Sequence, residues 1–414
     1  MRILHFADAH IDIATQGRHD PVTGLPVRVQ DFLKSLDRIV ETAIDERVDM
    51  VIFAGDAYKD RTPVPTFQRE WGRRIVRLSK AGIPTLLLVG NHDLSPASGR
   101  AHAMQEYETI PVPHVRVISK PCLLGPDDLE GLPMQVIGLP WVSRSSLMAS
   151  LEISAADPGK VYAELETRLA ELVTGWLEQH REPTLPMVLA AHASVQGAVY
   201  GGERAVMLGS DLVLPGSMVR DPRLNYVALG HIHKPQDLNK GQQPPVIYPG
   251  SIERVDFGEV DDEKYFVIAD VEQGRDTTVE WRRLPGRRFI DKWARLASAD
   301  EIQLGLLNLL PPQDELADAI VRLVLEYPAE FEPLINEVEL RRQAECCFEF
   351  HLVRRPQREA RLRLPNDATI SSLTPIDLLD VYWRSTNSDD EESKALQDLA
   401  RQVIKSVSGS FSMD

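Results

Sequence analysis

Residues 50–60 constrain the fold more than any other stretch, because a short apolar run over residues 50–54 stops at Gly55 and is followed by the carboxylate of Asp56. A run of this length and composition predicts a buried parallel strand, and the glycine permits a tight turn where the strand ends. Open α/β sheets bind their ligands at the carboxyl edge of such strands. Asp56 is therefore predicted to lie at the functional edge of a sheet.

The pattern of an apolar strand followed by polar side chains occurs four more times. The residues that follow these strands are Asp8 and His10, Asn91 and His92, His192, and His231 with His233. Their carboxylate, amide and imidazole groups suit Mn, Fe or Zn better than a thiolate site or an all-oxygen calcium cage. With His92 left aside, the donors exceed the needs of one ion, whereas two ions about 3.5–4 Å apart that share a carboxylate would use them all. The sequence thus predicts a dimetal centre with Asp56 as the bridge.

Five motifs follow one another in the first part of the chain: D-x-H at residues 8–10, GD at 55–56, GNHD at 90–93, a lone histidine at 192 and GHxH at 230–233. Their order resembles that of the calcineurin-like metallophosphoesterases, over roughly residues 1–260. Within that superfamily, YPGSIERVDFGE at residues 248–259 resembles the segment after GHxH in the SbcD-type DNA repair nucleases, the nuclease subunits of SbcC–SbcD complexes.

The resemblance implies an α/β fold: a metallophosphoesterase β-sandwich flanked by helices, a small α+β capping domain and C-terminal helices. It also implies two Mn²⁺ ions, with other divalent cations as alternatives. One ion would be held by Asp8, His10, Asp56 and His233, and the other by Asp56, Asn91, His192 and His231.

The resemblance assigns the catalytic proton transfer to His92. As an imidazolium, this residue would protonate or stabilise the leaving oxygen, and general acid catalysis typically contributes about 10²–10⁴-fold. We expect Asp93, the next residue, to orient His92. Some SbcD relatives carry a second histidine shortly after the GD motif, where this chain has Lys59, so that histidine's role is not transferred.

The function implied is a Mn-dependent DNA nuclease with single-strand endonuclease and 3′–5′ exonuclease activity. It would act as a homodimer with an SbcC-like ABC-type ATPase that carries a coiled coil. Two alternatives stay open from the residues alone. The first is a stand-alone metallophosphodiesterase or phosphatase on small molecules, and the second is a DNA-end scaffold whose metals only stabilise the fold.

A net charge of −16 argues against DNA binding, because phosphate contacts dominate the affinity for nucleic acid. The charge is unevenly distributed, however, since residues 1–120 carry 16 Lys and Arg against 15 Asp and Glu. Arginine clusters within residues 282–295 and 354–363 would follow a DNA backbone or form a solvated face. The N-terminus shows no pattern of a secretory signal, and we expect a cytoplasmic, nucleoid-associated protein.

We predict three segments: a nuclease domain at residues 1–284, an α+β capping and DNA-binding domain at 285–365, and a C-terminal helical segment at 366–414 that binds the ATPase. In the first segment, the apolar pattern predicts helices over residues 32–44 and 67–78, two strands between 115 and 141, a helical stripe of Val161, Leu165, Leu169, Leu172 and Trp176, and a hairpin at 265–284. In the second, it predicts strands at 317–325 and 347–353 and helices at 298–310 and 328–344. In the third, Thr374 is predicted to cap a helix, and a later apolar stripe comprises Leu396, Leu399, Ala400, Val403, Ile404 and Val407.

Overall fold

The computed structural model describes residues 1–11, 18–94, 101–141, 158–201, 213–357, 374, 376–379, 383 and 396–404. The chain forms two compact units. The first comprises Met1–Lys292, Pro311–Arg322 and Ala344–His351, and the second comprises Trp293–Leu310, Leu323–Gln343 and Leu352–Asp414. The division of the chain at residues 284 and 365 stays a prediction.

The strands are short, as expected for a chain whose apolar runs are interrupted by glycine and polar turns. In chain order they are β1 (Arg2–Phe6), β2 (Met50–Phe53), β3 (Thr85–Leu88), β4 (Val115–Ile118), β5 (Cys122–Leu124), β6 (Gln135–Leu139), β7 (Met187–His192), β8 (Ser194–Val195), β9 (Val213–Leu214), β10 (Tyr226–Gly230), β11 (Gln236–Asp237), β12 (Val246–Tyr248), β13 (Lys264–Asp270), β14 (Thr278–Leu284), β15 (Phe289–Arg295), β16 (Ile320–Pro328) and β17 (Glu349–Gln357).

Two six-stranded sheets dominate the first unit, in the orders β14-β13-β1-β2-β3-β4 and β11-β12-β10-β7-β6-β5. In the first sheet, β1, β2, β3 and β4 run parallel, while β13 pairs with β1 and β14 in antiparallel fashion. In the second sheet, β12, β10, β7 and β6 run parallel, and the edge strands β11 and β5 are antiparallel. The predicted hairpin over residues 265–284 is thereby confirmed.

The helices described in the structure are α1 (Val27–Asp45), α2 (Pro65–Lys80), α3 (Glu106–Thr109), α4 (Pro158–Gln179), α5 (Gly216–Val219), α6 (Ala299–Gly305), α7 (Gln313–Leu316) and α8 (Glu337–Gln343). The predicted amphipathic helices α1 and α2 bury Phe32 and Trp71 completely. Arg74 and Arg77 of α2 pair with Asp37 of α1 at 2.6 and 2.7 Å. These α2 arginines thus hold two helices together. None of the described helices has both the length and the apolar character needed to span a bilayer.

Alternate side chains of the central strands enter different cores, which explains why strands such as β2 and β10 are continuous apolar runs in the sequence. Phe6 and Phe53 of the first sheet pack with α1 and α2. Ile52, on the opposite face of the sheet, packs with Val188 of the second sheet. The outer face of the second sheet packs with Val173 and other residues of α4. The predicted β-sandwich flanked by helices is therefore confirmed.

Two local predictions for the first unit are wrong in detail. Residues 115–141 form three strands, because the short antiparallel strand β5 precedes β6. In α4, Leu172 is 38% exposed, and Val173 occupies the core in its place. The predicted side-chain positions of Val161 and Leu165 lie outside the described residues. Strand β15 was not predicted, because the charged Asp291 and Lys292 interrupt its apolar alternation.

The region beyond residue 285 contains a three-stranded sheet in the order β15-β16-β17. The predicted helices are shorter than expected. Helix α6 ends at Gly305, and a 3₁₀ turn that contains Pro333 precedes α8, since proline interrupts α-helical hydrogen bonding. In the tail, the Asp377 N–H donates to Thr374 Oγ1 at 3.3 Å, as predicted for a cap. Residues 396–404 are helical, whereas Val407 lies outside the described residues.

Candidate metal centre

Five parallel strands bring the predicted donors to one edge of the sandwich. In the first sheet, β1, β2 and β3 are neighbours, and Asp8, Asp56 and Asn91 follow their carboxyl ends. In the second sheet, β7 ends at His192, and its neighbour β10 ends one residue before His231. Because parallel strands end at the same edge, residues far apart in the chain become neighbours here.

Glycines permit the close approach of the two sheets at this edge. A Cβ atom on Gly230 would lie 2.1 Å from the Ala54 carbonyl oxygen, well inside van der Waals contact. Gly55 has a φ of +100°, and a Cβ atom there would lie 2.3 Å from His192 Nδ1. Only glycine can therefore occupy these two positions without moving the neighbouring residues.

The backbone of the centre is held in an uncommon conformation. Asp8, His10, Asp56 and His231 have positive φ angles of 52°, 40°, 64° and 100°. Such angles are rare outside glycine and cost on the order of 1–3 kcal/mol each when the conformation is strained. Four of the predicted donors are thus fixed in position by the surrounding fold at an energetic cost.

The first donor group consists of Asp8, His10 and His233, whose candidate ligand atoms all lie within 4.8 Å of one another. The Nε2 atoms of His10 and His233 are 3.0 Å apart. Both oxygens of Asp8 accept from the His231 N–H at 3.1 Å. His233 Nδ1 lies 2.7 Å from Glu259 Oε1, so this nitrogen carries the proton and Nε2 presents its lone pair.

The second donor group consists of Asp56, His192 and His231, again within 4.8 Å of one another. Asn91 belongs to the same cluster, since its Oδ1 lies 2.9 Å from His192 Nε2 and 3.0 Å from His231 Nδ1. The carboxylate of Asp56 lies between the two groups. Its Oδ2 is 3.4 Å from His192 Nε2 and 4.0 Å from His10 Nε2.

These contacts fit a pair of cations. His192 Nδ1 lies 2.6 Å from the Ala54 carbonyl and must donate its proton there, which leaves the Nε2 lone pair facing the oxygens of Asn91 and Asp56. A lone pair that faces two acceptors requires a cation or a second proton. In addition, His10 Nδ1 is buried without a hydrogen-bond partner among the described residues. The residues present therefore suit two divalent ions.

The pKa values show how strongly the buried groups interact. Burial lowers the pKa of His192, but the charge and contact of Asp56, the charge of Asp8 and the bond to the Ala54 carbonyl together outweigh burial and raise this pKa to about 9. Burial and the nearby His233 hold the pKa of His10 well below its usual value. Burial also raises the pKa of Asp8. For Asp56, burial acts upward, yet His192 and the other histidines bring its pKa below the usual value, so Asp56 is a carboxylate.

His92 and Asp93 lie at the turn after β3, but not in the expected contact. His92 is partly exposed, and its Nδ1 lies 2.7 Å from the Lys59 carbonyl oxygen. The Asp93 carboxylate accepts from the backbone N–H groups of Asp56, Ala57 and Gly90 at 2.9–3.0 Å. The prediction that Asp93 orients the His92 ring is therefore wrong, because three buried amides already occupy its oxygens. Burial and the Asp56 charge raise the pKa of Asp93 to about 7, while these amide bonds act in the opposite direction.

Sequence reasoning missed the residues that surround the donors. Glu259, which contacts His233, is buried and bonded to Lys264 at 2.7 Å. Its position in YPGSIERVDFGE could have indicated a role, since that segment follows GHxH. Trp141 lies against His231, with ring centroids 4.9 Å apart, and no periodic signal marks it.

Comparison with known proteins places this geometry in a wider context. The family model described as "Calcineurin-like phosphoesterase" matches residues 1–235. The chain is similar to the SbcD component of the SbcCD nuclease from Rhodobacter capsulatus, with 30% identity over 261 residues that cover 58% of this chain and 60% of the relative.

Two further relatives show the same kind of similarity. The SbcD component of the SbcCD nuclease from Bacillus subtilis is 25% identical over 313 residues, which cover 73% of this chain and 74% of the relative. The DNA double-strand break repair protein Mre11 of Archaeoglobus fulgidus is 25% identical over 259 residues, 63% of this chain and 52% of the relative. The matches with these three proteins therefore span from about half to three quarters of each relative.

Proposed function

The chain belongs to the calcineurin-like phosphoesterases, and we propose that it is a dimetal DNA nuclease that works with an SbcC-like ATPase. The proposed activities are 3′–5′ exonuclease and single-strand endonuclease cleavage, with two Mn²⁺ ions as cofactors. Such an enzyme would act in the cytoplasm, at the nucleoid. The names of the relatives support DNA as the substrate, since they describe an SbcCD nuclease component and a double-strand break repair protein.

The observation that carries this proposal is the position of the Asp56 carboxylate between two donor groups. Asp8, His10 and His233 would hold one ion, and His192, His231 and Asn91 the other, with Asp56 shared by both. When bound, two such ions lower the pKa of water and neutralise the oxygens of a phosphodiester. The protein contributes the fixed spacing and the burial of these side chains.

His92 differs from the donors in its surroundings and is assigned a different role. It is partly exposed, whereas His10 and His192 are at most 1% exposed. Its ring meets that of His10 edge-on at 5.2 Å, and its Nδ1 is fixed against the Lys59 carbonyl. A histidine held beside the donors but open to solvent is suited to protonate a leaving 3′ oxygen.

The partner proposals rest on resemblance and on the tail. In the helix over residues 396–404, Leu399 is 58% exposed and Val403 is 53% exposed. Two apolar side chains at a spacing of i and i+4 suit the helix-in-groove mode of recognition. We assign this helix to the coiled coil of the ATPase partner, and the homodimer to helices of the first unit.

Cleavage of end-labelled DNA tests the proposal against the two alternatives. The purified protein is assayed on DNA and on bis-p-nitrophenyl phosphate, with Mn²⁺ and with chelator. His92→Ala is compared with His180→Ala, an exposed histidine, as the matched control. We expect Mn-dependent DNA cleavage that falls about 10²–10⁴-fold in His92→Ala alone.

The other outcomes are distinct. Hydrolysis of the small ester without DNA cleavage would favour a small-molecule phosphodiesterase or phosphatase. A protein that binds two ions but cleaves neither DNA nor the small ester would favour the DNA-end scaffold, whose metals only stabilise the fold. If His92→Ala cleaved DNA at the parental rate, its assignment as the acid would be rejected.

A further inference from the structure

Glu259 is a buried carboxylate that contacts the first donor group through His233. It is 2% exposed and lies in the short 3₁₀ turn Phe257–Glu259. Its Oε1 lies 2.7 Å from His233 Nδ1. Because a carboxylate can only accept a hydrogen bond, it fixes the proton on Nδ1 and directs the Nε2 lone pair toward His10 and Asp8.

The second oxygen of Glu259 is held by three donors. Lys264 Nζ lies 2.7 Å from Oε2, the Val255 N–H 3.0 Å and Ser251 Oγ 3.2 Å. Lys264 is itself buried, and its Nζ also bonds Ser251 Oγ at 2.8 Å. If the carboxylate turned away from His233, the buried charge of Lys264 would lose its ion pair with Glu259.

The two donor groups differ in the group that accepts the Nδ1 hydrogen bond of a histidine ligand. His192 in the second group donates from Nδ1 to a neutral backbone carbonyl, that of Ala54. His233 in the first group donates to a charged carboxylate. A carboxylate acceptor raises the basicity of an imidazole ligand, and such outer partners tune the affinity of a metal site.

We infer that Glu259, held by Lys264 and Ser251, is a positioning residue that fixes the tautomer and direction of His233 and sets the affinity of the first donor group for its ion. This inference rests on the dimetal centre of the proposed function. It assigns Lys264, the first residue of β13, an indirect role in metal binding through Glu259.

Metal binding by Glu259→Gln tests the inference without an activity assay. Glutamine keeps the shape of the side chain and an acceptor oxygen, but it removes the charge. Chelator-stripped protein is titrated with Mn²⁺ by calorimetry, and the electron paramagnetic resonance spectrum is recorded at each step. We expect the affinity for one of the two ions to fall about 10–100-fold, so that a mononuclear Mn²⁺ signal persists where the parent shows a coupled pair.

Glu253→Gln is the matched control. Glu253 is an equally buried carboxylate six residues away, and it contacts Arg28 and the backbone N–H groups of Arg254 and Arg287. We expect this variant to bind both ions as the parent does. An equal loss of affinity in both variants would overturn the inference, because the effect would then belong to any buried carboxylate.

Two further variants separate positioning from folding. The double variant Glu259→Gln with Lys264→Met removes both buried charges. If this variant folds and still binds one ion weakly, the loss of affinity is due to the contact with His233. In a His233→Gln background, Glu259→Gln should cause no further loss, because the two residues act through one contact. Parental two-ion affinity in Glu259→Gln would overturn the inference. A parent that binds two ions but cleaves no DNA would instead refute only the nuclease proposal.

Discussion

The ring of His5 connects the two sheets three residues before Asp8. His5 lies in β1 and is fully buried, with Nε2 3.2 Å from the Leu229 carbonyl and Nδ1 2.9 Å from the Tyr226 hydroxyl, both in β10. The carbonyl can only accept, so Nε2 carries the proton and Nδ1 accepts from the tyrosine. Both nitrogens of a neutral ring are thus satisfied. These contacts give His5 a structural role between the two sheets.

A second proton on this ring would be unfavourable. Burial lowers the pKa of His5 from 6.5 to about 3, although the bond to Leu229 acts in the opposite direction. Because the pKa is lower in the folded state, the unfolded chain binds more protons between pH 6.5 and 3, and stability falls as the pH falls through this window. At 1.36 kcal/mol per unit, the loss between neutral pH and pH 5 is about 2 kcal/mol.

Replacing His5 with glutamine removes the contribution of this ring to the pH dependence of stability. Glutamine can donate to a carbonyl and accept from a hydroxyl, but it does not titrate. Between pH 7.5 and pH 5, the free energy of unfolding should therefore fall in both proteins, but the fall in His5→Gln should be about 2 kcal/mol smaller than in the parent. Urea unfolding of chelator-treated protein at the two pH values measures the difference. His180→Gln, at an exposed position, should follow the parent. Parallel pH dependence in the parent and His5→Gln would refute the reasoning.

Three other perturbations test the metal centre and the tail. Asp56→Asn should bind less than two equivalents of Mn by mass spectrometry, and two full equivalents would contradict the bridging assignment. Gly55→Ala should also lose metal, because its Cβ would lie 2.3 Å from His192 Nδ1, whereas Gly82→Ala, which has a φ of +71° and open space, should retain both ions in the same measurement. Truncation after Asn366 should leave a metal-loaded enzyme that still cleaves short single-stranded DNA but no longer co-elutes with the ATPase on size-exclusion chromatography. An undiminished complex would rule out docking through the tail.

The sequence alone predicted the strands that carry the donors and the edge at which these donors meet. An apolar run that ends at a glycine is a local signal, since it depends only on burial and on the freedom of the backbone at that residue. Parallel strands share a carboxyl edge, so Asp8, Asp56 and Asn91 could be expected to lie close together before any contact was known. The same local reasoning failed for β15, because none of its residues is buried and the charged Asp291 and Lys292 interrupt any apolar alternation.

Only the tertiary structure decided how the donors are divided and supported. Asp93 bonds backbone amides and not the His92 ring, because the turns after β2 and β3 bring three N–H groups to its carboxylate. Glu259 contacts His233 only after residues 250–264 fold back on the GHxH loop. These contacts join segments whose separation in the chain carries no periodic signal, and they depend on how two sheets pack. A sequence pattern therefore predicts which side chains reach the edge, whereas the packing of the sheets determines which atoms face one another.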